Sequence, residues 1–363
     1  MGFLGDILGT NNKKGKSVAG IDIGTSSIKV VQLRKENGAA VLETYGELAL
    51  GPYAGSEIGT ATNLSAEKIA ESVTDLLREA NVTTRDAGVS IPFSRSLMTL
   101  MELPKVANAE EQKTMIQLEA RKYIPVPVTE VQLDWFIVPE FHIERAEETN
   151  KIKVLVVAVH NDELALLQNV VQQAGISASF FELEIFSTIR SVVDEPVKPV
   201  LVLDIGASAT KVYVVEQGIV AISHNVSQGG QDVTRTISTA HNISLSKAET
   251  LKKEHGFSND PQGYEKKTVE LVYSRIFSEA KRALIQFEMQ HNKAVSTLVL
   301  TGGGGVTKEL AAYASAFFNM EVHIGDPFGK TMAPAFMRPV LSEIGPEFAV
   351  AVGLALRKLE DQG

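Results

Sequence analysis

The chain has 363 residues, 44% of them hydrophobic, with a formal charge of −9 and no cysteine. That length suits two domains or one large two-lobed body, and the acidic balance, with no basic patch interleaved with aromatics, argues against a nucleic-acid partner. Without cysteine there are no disulfides, no Cys-based zinc sites and no thiol catalysis.

From the start, "MGFLGDILG" puts Phe3, Leu4, Ile7 and Leu8 on one helical face. That face suits contact with a membrane surface or with the chain's own body, but two glycine-interrupted turns are short for a helix, so residues 1–17 are expected to form a flexible leader. It lacks the basic n-region and cleavage site of a secretory signal. The most apolar runs, "KVLVVAVH" and "PVLVLDIG", are far shorter than the ~20 residues that cross a bilayer. A cytoplasmic protein is expected.

Strands follow over residues 18–50, with Asn37-Gly38 as a hairpin turn. "SAEKIAESVTDLLREANV" is a helix with Ile69, Val73, Leu76 and Leu77 on one face, and "AGVSIP" is a buried strand. Residues of about 92–150 break this rhythm with "SRSLMTLMELP", the helix "NAEEQKTMIQLEARKYI" and the extended "EVQLDWFIVPEFHIE". They read as a small α+β insert, whose apolar load (Met98, Met101, Ile116, Trp135, Phe136, Phe141) makes either its own core or an interaction surface. From 151 the α/β pattern resumes. A first lobe therefore covers 18–196 and a second 197–363. The second opens on "PVLVLDIGASATKVYVVEQGIVAISHNV", with Gln217-Gly218 in a turn, and continues through several helices to the strand and glycine turn "STLVLTGGGG".

The two lobes share one phrase. "DIGTSSIK" (22–29) and "DIGASATK" (204–211) have Asp, Ile, Gly, Ser and Lys in common. Glycine lets the backbone turn close to an anion, and small side chains leave N–H groups exposed to phosphate oxygens. An Asp ending the first strand of each copy is suited to hold Mg2+ through water. One copy would be an ordinary tight hairpin. Two copies facing each other would clamp a polyphosphate, with the glycines of "TGGGG" passing beside a base or ribose. That third segment is neither a P-loop nor GxGxxG.

This order of Asp-Gly hairpin, second Asp-Gly hairpin and strand–glycine–helix resembles the actin-like ATPase superfamily, over about residues 18–358. The fold implied is α/β, a duplicated ribonuclease H-like body of two lobes with the insert in the first. The insert stands where FtsA-type proteins carry their extra (SHS2-type) subdomain. "SQGGQDVTRTISTAHNISLSKAETLKKEHG" is similar to the GG-x-D-[IV]-T … A-E-x-L-K segment of that branch. "AGIDIGTSSIKVVQLR", "EARKYIPVPVTEVQLDW" and "EFAVAVGLALRKLEDQG" look most like the PilM family of type IV pilus assembly.

The resemblance implies a site for ATP or ADP with Mg2+. Asp22 and Asp204 would flank the ion through water. Gly24, Thr25, Ser26, Ser27 and Lys29 would meet the phosphates, with Gly206, Ala207 and Ser208 opposite. Gly229, Gly230 and Asp232 would line the second lobe's wall. Glu249 and Lys252 would touch ribose and adenine, with Gly302, Gly303 and Gly304 beside the adenosine. Glu184 falls where relatives carry the carboxylate or amide that orients the attacking water, the other reading being a helix-entry carboxylate. Relatives follow it with Pro and small residues, whereas here Ile185 and Phe186 follow, which argues against more than slow hydrolysis. Lys211 repeats Lys29 but is left unassigned, because its counterpart points away in relatives.

The implied partner is the cytoplasmic N-terminal peptide of PilN, received between insert and first lobe, with self-association open. Membrane contact would be indirect, since "ALRKLEDQG" ends in charge, placing the protein at the inner membrane through its partners. The rival readings are an FtsA- or MreB-like cytoskeletal or cell-division ATPase and a metabolic kinase or ATPase of the same fold.

Overall fold

The computed structural model describes residues 16–138, 150–194, 198–258 and 266–361. The leader residues Phe3, Leu4, Ile7 and Leu8, and Phe141 of the insert, lie outside them.

The first sheet opens with an antiparallel meander, β1 (Ser17–Ile23), β2 (Ser27–Glu36) and β3 (Ala39–Ala49). Asn37 and Gly38 both take left-handed backbone angles (φ 51° and 82°), as a two-residue hairpin needs to match strand twist. Helix α1 (Ala66–Glu79) buries Ile69, Val73, Leu76 and Leu77 against this sheet. It leads to β4 (Asp86–Ile91), which runs parallel to β1.

The insert follows as β5 (Ser96–Pro104), α2 (Ala109–Ala120), β6 (Val131–Ile137) and β7 (Lys151–His160). Helix α3 (Asn161–Gln173) then packs beside α1 and returns the chain to β8 (Ser177–Leu183), parallel to β4. The sheet order is β3-β2-β1-β4-β8.

Helix α4 (Glu184–Val192) crosses to a second sheet built on the same plan. Strands β9 (Val200–Ile205), β10 (Thr210–Glu216) and β11 (Ile219–Val226) form the meander, and Gln217-Gly218 repeats the left-handed turn. Helices α5 (Gly230–His241), α6 (Leu245–His255) and α7 (Lys266–His291) lead to β12 (Thr297–Thr301). Helix α8 (Leu310–Phe318) precedes β13 (Glu321–Ile324), giving the order β11-β10-β9-β12-β13. Each sheet is thus three antiparallel strands followed by two parallel ones. The faint echo in the sequence is a duplication of topology. Helices α9 (Arg338–Ile344) and α10 (Ala349–Glu360) close the described chain.

Two placements differ from the boundaries read in the sequence. Strand β7 is the middle strand of the insert's sheet, ordered β5-β7-β6, so the insert extends to 160 rather than about 150. Its unbroken apolar run resembles a buried parallel strand, but here burial comes from two antiparallel neighbours and α2. The chain's last helix does not stay with the second sheet. The Phe348, Ala351, Val352 and Ala355 side chains pack against Val18, Val31 and Leu33 of the first. The stretch Ala335–Glu360 is long and apolar enough to cross a membrane, yet most of it is buried in this core. Within the insert, Met101 and Ile116 fill its own core. Met98 leans on the second lobe's sheet, and Phe136 stays half exposed.

Helices α4 and α10 cross beneath the gap between the sheets. An added Cβ at Gly353 would fall 1.9 Å from the Ser187 carbonyl oxygen, so only glycine lets them approach this closely. Beside the crossing, the buried Glu182 carboxylate accepts hydrogen bonds from Arg190 (2.8 and 3.0 Å) and Arg357 (2.7 Å). Burial pushes its carboxyl up, but the two arginines outweigh that and hold it below the usual range. A depressed carboxylate stabilises the fold above its unfolded value of about 4.3, and that contribution is lost as pH falls through the lower folded value. Glu182→Gln should cost about 3 kcal/mol at pH 7, the low end for a buried pair because both arginines are partly exposed. The gap to the parent should narrow below about pH 4. Denaturant titrations at pH 7, 5 and 3 check this, and a gap independent of pH would refute it.

Candidate functional site

The two repeated hairpins face each other across a cavity of about 580 Å³ between the sheets. Each is made the same way. In the first, Asp22 stands opposite Lys29 in the β1–β2 ladder, and Gly24 N–H closes the turn on the Ser27 carbonyl at 3.1 Å. In the second, Asp204 stands opposite Lys211 in the β9–β10 ladder, and Gly206 N–H closes on Ala209 at 3.0 Å. The tips touch: the Thr25 and Ser208 hydroxyls lie 3.1 Å apart.

Asp22, Gly24, Thr25, Ser26, Ser27, Lys29, Glu184, Asp204, Gly206, Ala207, Ser208, Gly230, Glu249, Lys252, Gly302, Gly303 and Gly304 all line this cavity. Gly229 and Asp232 do not. Gly229 lies under the second hairpin, where an added Cβ would sit 2.5 Å from the Gly206 carbonyl oxygen. The Asp232 carboxylate turns back to accept the Gly229 N–H at 2.9 Å, closing the start of α5. The first amides of α5 are spent likewise, Gly230 N–H on Gly206 O and Gln231 N–H on Ala207 O, both at 2.9 Å. Helix α5 shapes the second hairpin and presents few free amides of its own.

The glycine turn after β12 is packed from behind. Gly302 has φ 77°, and a Cβ there would lie 2.5 Å from Asp204 Oδ1. Gly304 N–H donates to Ile205 O at 2.8 Å. Opposite, Lys252 bonds Glu249 at 2.6 Å, and Thr234 Oγ1 donates to the same carboxylate at 2.6 Å. Burial pulls the Lys252 ammonium below its usual range against the pull of Glu249.

Lys211, left unassigned from sequence, stands at the floor of the cleft, with its ammonium 2.8 Å from Glu184 and 3.4 Å from Asp204. Burial works against its charge, but Asp204, Glu184 and Asp22 more than compensate and raise its pKa. Its first-lobe counterpart Lys29 behaves alike: burial opposes its charge, while Glu47 (3.0 Å), Asp22 and Glu347 raise it. Burial raises the Asp22 carboxyl, partly offset by Lys29 and Lys211. Glu47 and Glu347, also missed, face each other at the rim. Burial and the neighbouring Glu47 push Glu347 up, whereas Lys29 holds Glu47 low against burial. The paired hairpin registers would have revealed Lys211. No motif marks the rim glutamates.

Seven acidic side chains and four lysines line the cavity, which favours binding a polyanion together with a cation. Asp22 and Asp204 suit Mg2+, which keeps several waters. Among the described residues no group of three or more His, Cys, Asp or Glu forms a metal cage, so water and phosphate would supply the remaining ligands. The Asn225 side-chain oxygen is buried in the cleft wall without a protein partner, leaving an acceptor for a bound ligand's donor.

A segment of the first lobe bridges the open side. The Glu57 carboxylate accepts the Ser246 N–H at the start of α6 (2.5 Å), and Gly59 lies against Glu249. The Gln231 side-chain oxygen, with its amide turned to suit both neighbours, accepts from Ala61 N–H at 3.2 Å.

Two sheets of one topology, a cleft lined by paired Asp-Gly hairpins and two crossing helices define an actin-like ATPase fold. A family model described as type IV pilus assembly protein PilM matches residues 20–359, and the chain belongs to that family. A solved structure described as a PilM-PilN type IV pilus biogenesis complex is 25% identical, with TM-score 0.79, covering 94% of this chain and 98% of that one. MreB5 of Spiroplasma citri bound to ADP (13% identical, TM-score 0.52, 96% and 99% covered) shares the fold. The cell division protein FtsA of Neisseria meningitidis serogroup B is 23% identical over 94% of this chain and 90% of its own length.

The bridge gives a prediction. Glu57→Ala should raise amide exchange at Ser246 about tenfold, since a charged helix-start acceptor is worth about 1–2 kcal/mol. Unchanged exchange there would mean the bridge does not hold the lobes.

Proposed function

We propose that this chain is a nucleotide-binding scaffold of the type IV pilus assembly platform at the cytoplasmic face of the inner membrane. It holds Mg-ATP or Mg-ADP between the hairpins and engages the short cytoplasmic N-terminal peptide of a PilN protein. The observation that carries this reading is the mirrored pairing of one Asp and one Lys per hairpin at one cleft floor, in a member of the PilM family.

Gly24, Thr25, Ser26 and Ser27, with Gly206, Ala207 and Ser208, offer backbone N–H groups and hydroxyls to phosphate oxygens. Lys29 supplies charge. Asp22 and Asp204 would hold Mg2+, which would supply the positive charge that this acidic cleft lacks. Glu249, Lys252 and the Gly302–Gly304 turn receive the nucleoside. Hydrolysis is slow at most: both oxygens of the Glu184 carboxylate are already engaged, by Phe93 N–H at 2.7 Å and Lys211 at 2.8 Å. Nucleotide sets the lobe angle and so biases partner binding, which requires different affinities for two states. The likeness to FtsA over most of its length supports a second reading, a cell-division ATPase that assembles with itself. ATP-dependent filaments in sedimentation, without a pilus partner, would favour it.

Asp22→Ala or Asp204→Ala should lower Mg-ATP affinity at least tenfold and leave the fold intact. Thermal melts with and without nucleotide check this, and equal protection of variant and parent would overturn the site. Titrating a PilN N-terminal peptide into the apo, ADP and ATP forms tests the partner. No binding in any form removes the pilus assignment, and equal affinities remove the coupling.

A further inference from the structure

The Glu184 carboxylate joins two places that the fold otherwise keeps apart. It begins α4, is only 8% exposed, and borders the cleft floor. One oxygen pairs with the ammonium of Lys211, which belongs to the second hairpin. The other accepts the backbone N–H of Phe93. Phe93 occupies the short turn between β4 and β5, the root of the insert, and the Phe93 carbonyl takes the Ser96 hydroxyl at 2.9 Å. The Phe93 ring is buried among Ile185 and Ile189 of α4 and Tyr213 and Val220 of the second sheet, with Met98 of β5 alongside. An unbroken line of contacts thus runs from a cleft-floor cation, through one carboxylate, to the backbone at which the insert leaves the first lobe.

We propose that Glu184 is a positioning residue that reports occupancy of the cleft to the insert, by sharing Lys211 with whatever anion binds between the hairpins. The inference rests on the nucleotide-binding reading and adds how that site is regulated. The physical step is a competition. Lys211 faces Glu184, Asp204 and Asp22, and a polyphosphate brings several negative charges into the same low-dielectric space. The ammonium moves toward the ligand, and Glu184 loses its counter-charge. The carboxylate then leans on its remaining donor, the Phe93 N–H, because hydrogen bonds to an ionised group are stronger than neutral ones. The insert root tightens, and the apolar wedge of Phe93 and Met98 carries that to β5. Because the Phe93 ring also packs on the second sheet, a change in lobe angle and a change at the root are one event.

The test uses the full chain, magnesium and a non-hydrolysable ATP analogue. Amide exchange of residues 93–104 is followed with and without ligand, in the parent and in the near-isosteric Glu184→Gln. Both are compared at ligand saturation, verified by thermal shift, so that a change in affinity does not enter. In the parent, ligand should slow exchange over 93–98 about fivefold. In Glu184→Gln, which keeps an acceptor for Phe93 N–H but has no charge to exchange with Lys211, the ligand effect should fall below twofold. Without ligand, the Phe93 amide should exchange about threefold faster in the variant than in the parent. Trp135, the chain's single tryptophan, lies on β6 of the insert. Its ligand-dependent fluorescence change should vanish in the same variant. A ligand effect of equal size in parent and variant, or none in a parent whose thermal shift shows binding, overturns the coupling and leaves the nucleotide reading standing. A parent that shows no thermal shift at all removes the nucleotide reading, and the coupling with it.

Discussion

Everything at the cleft depends on how closely α4 and α10 cross beneath it. Gly353 passes so near the Ser187 carbonyl that no side chain fits between them, and Gly20 is equally tight against the Ala351 carbonyl where α10 lies on β1. Ser191 reinforces the crossing by donating to Ala349 O at 2.7 Å, and Glu182 holds an arginine from each helix. Since α4 packs on the second sheet and α10 on the first, each helix carries one lobe's core into contact with the other's. The lobes cannot separate at such a joint without exposing both cores. The gap left above the joint is the cleft.

Electrostatics at the cleft follow from duplicating one hairpin. Each copy brings an acid and a base in register on adjacent strands, so the floor receives two of each before any other residue contributes. Glu184 and the rim glutamates then tip the balance toward negative charge. Such a cleft favours the charged forms of Lys29 and Lys211 by enclosing them with carboxylates that outweigh burial. It favours phosphate where a cation comes too, or where a lysine changes partners. Lys211 is placed to do so, because its two carboxylate partners belong to different lobes: Asp204 lies in its own sheet and Glu184 opens the crossing helix.

Much of this was legible in the chain. The hairpins announced themselves through Asp, Gly and small residues at fixed spacing, and Asn37-Gly38 and Gln217-Gly218 through the backbone angles that two-residue turns demand. Helix α1 followed from the period of its apolar face. Less legible were residues whose roles depend on what lies across a gap. Gly229 and Asp232 read as cleft wall by resemblance to the GG-x-D segment of relatives, but the proximity of the Gly206 carbonyl makes them its support. The behaviour of relatives leaves Lys211 unassigned, although the repeat alone sets it opposite Asp204. By position Glu184 reads as a water-orienting or helix-entry carboxylate. Nothing local discloses that its oxygens are taken by Phe93, 91 residues earlier, and by Lys211 of the other lobe.

The sequence by itself determined what depends on neighbours along the chain: the strand–turn–strand phrases, the helical faces, the duplication and the acidic character of the whole. These are set by backbone preferences and by spacing, which a linear string records. The tertiary structure alone decided which strand stands at the centre of the insert, that the last helix returns to the first sheet, and which charges share the cleft floor. Those outcomes arise from burial and from pairings between residues far apart in the chain. Their energies exist only once distant surfaces have met.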